Sequence, residues 1–481
     1  MNNMNPAMRS GKRQEHLFNK QLLKIYTHEM GILFIQWTIG MITDSSNGRN
    51  TRLENLRLGI YCMKGMFFMS EKLAEVFEQY DLKILEMRKG RGATILDTTD
   101  GMMILEPFRG NIVRLEQEYV LKRLFIEKGF SKLDMIIPNK DGIFFTCDRY
   151  RQPFVLKRHF EGNECDMHSA KDMIRSIKLL AVFHQYGRQI AEEFDREWKV
   201  YQQEKEEKRF QEIKEAFLSG EEIERIAHLY DIQENILCEM LADEKWFEAG
   251  ENGKEKKEEI AEVLGRHNRE LKKIYKYMRK VKKKNSFETL FLKVFEEYYE
   301  QGCYCVEQLE KNKEISLEIA GQQHYGICHG ACNQHNILLA EMDNHEDEGM
   351  PVSGVDNRYT KGEYGAIVHF ERFSKGNQLN DLYQFARKAM EKNHFDFELL
   401  GELLNAYSEE NTLSKEDYRY IYILFSYPEK FWKIANGYYN SNKAFLSPKY
   451  VEKLQNVICQ ENEKREMLEK FRTLQDRLDF V

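Results

Sequence analysis

His329-Gly330-Ala331-Cys332-Asn333-Gln334-His335-Asn336-Ile337-Leu338-Leu339 is the stretch on which the fold turns. A polar loop lies between two short apolar runs, residues 326–329 and 337–340, that read as strands. Residues 366–370 give a third strand, and from 379 to 470 the period is helical throughout. Upstream, residues 287–311 form a helix that is aromatic on one side. Residues 192–284 are rich in Glu and Lys, with apolar residues at helical spacing, and 169–186 are amphipathic. Further upstream the pattern changes to short strands: 83–87, 93–97 and 102–108. Gly90-Arg91-Gly92 and Thr99-Asp100-Gly101 separate them as turns. A helix is predicted over 111–128, with Val113, Val120, Leu121, Leu124 and Phe125 on one face. Asn139-Lys140-Asp141-Gly142 reads as a hairpin turn between 135–138 and 143–147, and 154–160 as one more strand.

The expected class is therefore α+β. A small antiparallel-sheet lobe covers 69–160. A large, mainly helical lobe covers 161–481, with a charged helical insertion at about 200–265. Residues 1–68 are poorly patterned. Two origins stay open for them: a true extension, or upstream sequence read through ahead of a start at Met69.

The chain has 481 residues, 42% of them hydrophobic, enough for a real core. Net charge is −7, which argues against nucleic acid as a partner of the whole chain. One basic run, 272–284, reads as a solvated helix face. Nine scattered cysteines show no disulfide framework and fit reduced thiols made in a cytosol. The apolar stretch at 31–42 is too short to span a bilayer and too far from Met1 for a secretory signal, so no membrane segment is expected.

A sheet with one helix, then a helical half carrying His-Gly-x-x-x-x-x-Asn, is the layout of a kinase-like phosphotransferase. The loop resembles the catalytic loop of aminoglycoside and choline phosphotransferases. The stretches Lys89-Gly90-Arg91-Gly92-Ala93 and Ile104-Leu105-Glu106-Pro107-Phe108-Arg109-Gly110 resemble the opening of the CotS-like spore coat protein family. So do Ile137-Pro138-Asn139-Lys140-Asp141-Gly142, and Val155-Leu156-Lys157 leading to Glu161-Gly162-Asn163-Glu164. The most distinctive piece is Pro428-Glu429-Lys430-Phe431-Trp432-Lys433-Ile434-Ala435-Asn436 followed by Tyr438-Tyr439-Asn440-Ser441. The resemblance spans roughly 70–470. It implies the two-lobed kinase-like fold, synthesis in the cytoplasm, a place in the coat of an endospore, and other spore coat proteins as partners.

Phosphoryl transfer needs a strand lysine on the phosphates, a base at the acceptor hydroxyl and oxygen ligands for magnesium. By resemblance the lysine belongs at 106, where Glu106 stands, and no lysine occupies 105 or 107. One unit-charge pair at ~4 Å is worth ~4 kcal/mol at a surface-like dielectric, so the sign reversal opposes a triphosphate. The helix partner of that lysine is Glu118 or Glu116, which would set two acids face to face. Ala331 stands where the base belongs, and a methyl group accepts no proton. His369 stands at the magnesium aspartate, where imidazole is a poor ligand. Glu371, on the same strand face if the strand continues, and Asn336 are the remaining route to a metal. His329 and Asp381 brace the loop in related folds. Gly90 and Gly92 serve a tight hairpin as readily as a phosphate. Cys332 with His335 as a nucleophile pair, and a metal held by Cys328, His329, Cys332 and His335, are weaker readings.

Two functions follow. In the first, the fold is a catalytically degenerate scaffold in the spore coat. No cofactor is expected beyond weak ATP and magnesium binding at Gly90, Gly92, Asn336 and Glu371. The contact surfaces are the insertion and the aromatic segment 422–439, whose helical spacings also fit burial. In the second, the chain is an atypical phosphotransferase using ATP on a small molecule or coat protein.

Overall fold

The computed structural model describes residues 73–230, 232–233, 237–238, 240–241, 259–311, 323–340, 365–441 and 448–478. The expectations for residues 1–68, and for part of the 200–265 insertion, fall outside the described residues.

Strands β1 (Ile84–Lys89), β2 (Thr94–Thr98), β3 (Gly101–Pro107), β4 (Thr146–Cys147) and β5 (Pro153–Arg158) form one antiparallel sheet in the order β1-β2-β3-β5-β4. Helix α1 (Ile112–Glu127) follows β3. The Asn111 side chain caps it by accepting from the Val113 and Arg114 amides. Burial begins at Leu115, and Val113, expected on the inner face, is 50% exposed in the first turn. The Asn139–Gly142 turn forms as expected: Asn139 Oδ1 accepts from the amides of Asp141 and Ile143. Its flanks are not two strands, however. Residues 135–138 make one isolated bridge, Ile136 to Lys157, so the backbone bonds of that segment go to β5 locally rather than along a ladder.

The second lobe is helical. Helix α2 (Ala170–Gln189) runs through its centre, burying Met173, Ile177, Leu180 and Phe183. Helices α3 (Ala191–Leu218) and α4 (Ile223–Tyr230) begin the insertion, and α5 (Ile260–Lys280) and α6 (Ser286–Lys311) form a hairpin. The short strands β6 (Asn163–Glu164), β8 (Ile337–Leu339) and β9 (Gly365–Ile367) pair with each other, as do β7 (Tyr325–Cys328) and β10 (Ser374–Asn377). Then come α7 (Leu379–Lys392), α8 (Phe397–Ser408), α9 (Lys415–Ser426), α10 (Glu429–Asn440), α11 (Pro448–Cys459) and α12 (Glu461–Leu478). No helix among the described residues is long and apolar enough to cross a membrane.

The helical spacings in 422–439 do mean burial, and part of the insertion is not a free surface. Phe425, Tyr427 and Phe431 in the 422–439 segment are core, and Phe431 stacks on Phe291 with ring centroids 5.2 Å apart. Burying one such ring contributes roughly 1.5–3 kcal/mol. The first helix of the insertion is docked as well. On α3, Lys205 pairs with Glu116 of α1 at 2.5 Å, Glu197 pairs with Arg123 at 2.7 Å, and Tyr201 stacks toward Phe144. So α3 braces α1 from outside.

Candidate functional site

The loop after β7 is held from beneath by Asp381 in the first turn of α7. One carboxylate oxygen accepts from the His329 amide at 2.5 Å, the other from the Gly330 amide at 2.9 Å. His184 stands 3.4 Å from the same carboxylate through Nε2 and 2.9 Å from the Tyr407 hydroxyl through Nδ1. Burial raises the Asp381 acid and is outweighed by these bonds, so its carboxyl lies below the usual range. His329 Nε2 donates to the Val368 carbonyl at 3.0 Å, because a carbonyl can only accept. Its Nδ1 then accepts from the Ala331 amide at 3.3 Å. Burial keeps this imidazole neutral by pushing its pKa down. Gly330 has φ +75°, and a Cβ there would overlap the Arg372 carbonyl oxygen, so only glycine lets the loop pass.

Ala331 turns its carbonyl to the side-chain amides of Asn333 and Asn336, at 2.7 and 2.9 Å. The Asn336 amide hydrogens thus serve the loop's own backbone. Gly90 and Gly92 lie in the β1–β2 turn. The Gly90 amide bonds the Ala93 carbonyl at 2.9 Å, and Gly92 has φ +77°, both demands of a tight hairpin.

The sheet register brings in a residue that no local pattern marks as part of the site. β3 and β5 pair so that Ile104 faces Lys157 and Glu106 faces Val155. Side chains alternate along a strand, so Glu106 and Lys157 share one face of the sheet. Lys157 Nζ lies 3.1 Å from Glu371, 3.6 Å from both Glu118 and Asp134, and 3.7 Å from Glu106. Its side chain is only 5% exposed. Burial opposes its charge, yet Glu118, Asp134, Glu371 and Glu106 together hold its pKa well above the ordinary lysine value. Glu106 and Glu118 therefore do not confront each other unscreened, as the local reading suggested. A lysine from β5 stands between them.

A second buried lysine completes the cluster. Lys122, one turn after Glu118, reaches Glu118 at 2.5 Å and Asp134 at 2.6 Å. Burial raises Asp134, but Lys122 and Lys157 outweigh it and hold the carboxyl low. The other Asp134 oxygen accepts from the His369 amide at 3.0 Å. His369 has φ +67°, a left-handed conformation uncommon for a residue with a Cβ. Strand β9 ends at Ile367, two residues before it, so His369 and Glu371 do not share a strand face. They meet through this turn instead. His369 Nδ1 is 3.7 Å from Glu371. The Glu371 carboxylate beside it raises the imidazole pKa against burial. Burial raises Glu371, and His369 and Lys157 more than reverse it. Arg114 of α1 donates to the Glu371 and Phe373 carbonyls, and its guanidinium stacks 3.7 Å over the Phe373 ring.

Two lysines and four carboxylates thus gather where β3, β5 and α1 meet the turn after β9. Their formal sum is negative, and both lysines are committed to acids. Ala331 offers no base in the loop, and the Glu371 carboxylate is tied to Lys157 and His369. Cys332 is buried, which pushes its thiol pKa well up, and His335 turns outward to Glu164 at 2.5 Å, so the two form no nucleophile pair. No group of three His, Cys, Asp or Glu among the described residues is arranged to hold a metal ion.

No family model and no curated protein matches the chain. Solved structures do. An aminoglycoside phosphotransferase from Alicyclobacillus acidocaldarius matches with a TM-score of 0.58 at 13% identity, over 83% of this chain and 95% of that one. That likeness carries the two-lobed kinase-like fold. An AMP-bound spectinomycin phosphotransferase matches at TM-score 0.44 and 12% identity, over 83% of this chain and 97% of its own. The choline kinase LicA from Streptococcus pneumoniae matches at 0.35 and 11%, over 82% and 98%.

Proposed function

We propose that the chain is a kinase-fold scaffold that does not transfer phosphate and that serves endospore coat assembly by binding other spore coat proteins. The observation that carries the first half is the Lys157 cluster. Two lysines set against four carboxylates leave no positive charge for a triphosphate, and the loop beside them lacks a base. Three losses at lysine, base and metal positions act on one catalytic unit, so no single replacement restores it. The second half rests on the resemblance to CotS-like proteins in the stretches around 104–110, 137–142 and 428–441.

A second reading has one observation in its favour. Lys157 sits beside Glu118 much as a phosphate-binding lysine sits beside its helix glutamate, and an atypical phosphotransferase could use that pair. Melting of the full chain with millimolar ATP and magnesium or manganese separates the two. A ligand at 100 times its Kd stabilises by about 2.7 kcal/mol. The scaffold predicts no shift. A saturable shift that Lys157→Met abolishes, with transfer of labelled phosphate, overturns it. For the coat assignment, a fluorescent fusion in a sporulating endospore former is expected to ring the forespore. Diffuse signal throughout coat assembly rejects that half alone.

A further inference from the structure

Helix α5 and the turn after it hold the strongest concentration of charge in the molecule. Residues 266–284 contain ten Lys and Arg and a single acid, Glu270. All ten cations are exposed. With the whole chain at −7, nine positive charges gathered here leave sixteen negative for the rest. Glu270 does not offset them: its carboxylate takes the Trp432 indole N–H at 2.8 Å and Arg266 at 3.9 Å. Arg269, Lys272, Lys273, Lys276, Arg279 and Lys280 make no ion pair with a described residue.

A solvated helix end explains part of this. Arg279 and Lys280 lie in the last turn, where the helix dipole favours cations. It does not explain Arg269, Lys272, Lys273 and Lys276, which stand in mid-helix at three- and four-residue spacings. Like charges at those spacings destabilise a helix. The helix tolerates them because its other face is anchored, with Leu271, Ile274 and Met278 buried against Phe291 and Phe295. The patch is therefore a rigid rail.

We propose that this face docks an acidic protein segment, a helix rich in Asp and Glu. Lys272, Lys276 and Lys280 repeat every four residues, about 6 Å of helix rise, which is the spacing of carboxylates at every fourth position of a facing helix. Single-stranded nucleic acid fits less well. It needs open aromatic faces, and the rings of Tyr299, Tyr439 and Tyr275 already lie under Lys272, Lys273 and Arg279 at 5.8, 5.8 and 5.7 Å. A membrane surface fits less well too, because Tyr277 is the only large apolar side chain exposed along α5. The inference stands whether or not the cleft transfers phosphate.

The test uses the full chain and a synthetic helical peptide with glutamate at every fourth position. Matched-charge RNA, duplex DNA and anionic vesicles run beside it. Binding of the peptide is expected at low salt, weakening steeply as ionic strength rises. The variant K272Q/K273Q/K276Q/K280Q, with an unchanged melting curve, should lose about tenfold in affinity. A control that removes four cations elsewhere, K171Q/K199Q/K208Q/K470Q, should bind as the wild type does. No peptide binding, equal loss in both variants, or tighter binding of nucleic acid or vesicles than of peptide overturns the proposal.

Discussion

Replacing Lys157 by methionine keeps the length of the side chain and removes the charge. Its Nζ lies 3.1–3.7 Å from four carboxylates. At an effective dielectric of ~20, each such pair is worth roughly 5 kcal/mol, so the gross attraction is about 20 kcal/mol. Most of it offsets burial of the ammonium and repulsion among the acids. The loss on mutation is smaller than the gross figure for a second reason. The Glu106 and Glu371 side chains are 23% and 53% exposed and can turn to water. Glu118 and Asp134 cannot, but each keeps Lys122. The expected loss is that of breaking one buried pair, about 3–5 kcal/mol. Urea unfolding followed by circular dichroism should report it as a lower midpoint at unchanged slope. The deficit should shrink in acid, because Lys157 helps hold the Asp134 and Glu371 carboxyls low and its removal lets them take up protons at higher pH. Adding Glu118→Gln should recover part of it, because Lys122 then faces one buried acid instead of two. A deficit under about 1 kcal/mol, or no coupling to Glu118, refutes the view that Lys157 neutralises this cluster.

Gly330→Ala should leave the chain insoluble or destabilised by more than about 3 kcal/mol, because it combines a positive φ with overlap on Arg372; a soluble variant melting like the wild type contradicts the loop geometry. Stability should fall as pH drops from 6.5 toward 4. His184, His329 and His267 have pKa values pushed down in the folded state by burial, His267 to about 4, so the unfolded chain binds more protons there and acid favours it. His267 alone, buried under Trp432, supplies up to about 3 kcal/mol of this; His369, whose pKa is raised, opposes it, and a flat or rising profile would contradict the assignment. The triple replacement Glu106→Lys, Ala331→Asp and His369→Asp should not by itself create nucleotide-dependent stabilisation, since Lys157 still occupies the acids; clear stabilisation by magnesium ATP would show that the cleft had merely lost its groups.

The architecture is legible where pattern is local. Turn residues and alternation mark β1 to β3. The helical period marks α1 and the C-terminal helices. The His329–Asn336 loop announces itself by composition. What stays hidden depends on pairing between distant segments. Lys157 is plainly visible at the end of an apolar run, but its meaning needs the β3–β5 register, which no feature within either strand specifies. Slipping that register by one residue would place the lysine on the opposite face. The end of β9 is equally obscure. Val368 and Phe370 look like strand residues, yet the chain turns at His369 because the Asp134 carboxylate, from the other lobe, takes the His369 amide. Strands β6 and β10 carry no local signal for the same reason: Asn163–Glu164 and Ser374–Asn377 lack β-forming side chains and are strands only because β8 and β7 lie beside them.

The Lys157 cluster also bears on what holds the two lobes together. In a working kinase fold the lysine–glutamate pair must be in place before transfer, and its assembly is a point of control. Here the lysine comes from β5, whose position is fixed by backbone bonds to β3, and its partner Glu118 is tied as well to Lys122 from the next turn of the same helix. Neither arrangement needs a ligand. The same cluster reaches across the cleft: Lys157 meets Glu371, Asp134 takes the His369 amide, and Arg114 clamps Phe373. Helix α3 presses on α1 from the far side through Glu197 and Lys205. Each of these contacts is internal to the chain. On the proposed scaffold reading, lobes held by such internal contacts serve poorly as a switch, since a ligand can shift an equilibrium only by its differential affinity for two states. They serve well as a platform whose surfaces, including the basic rail of α5, are presented in one arrangement.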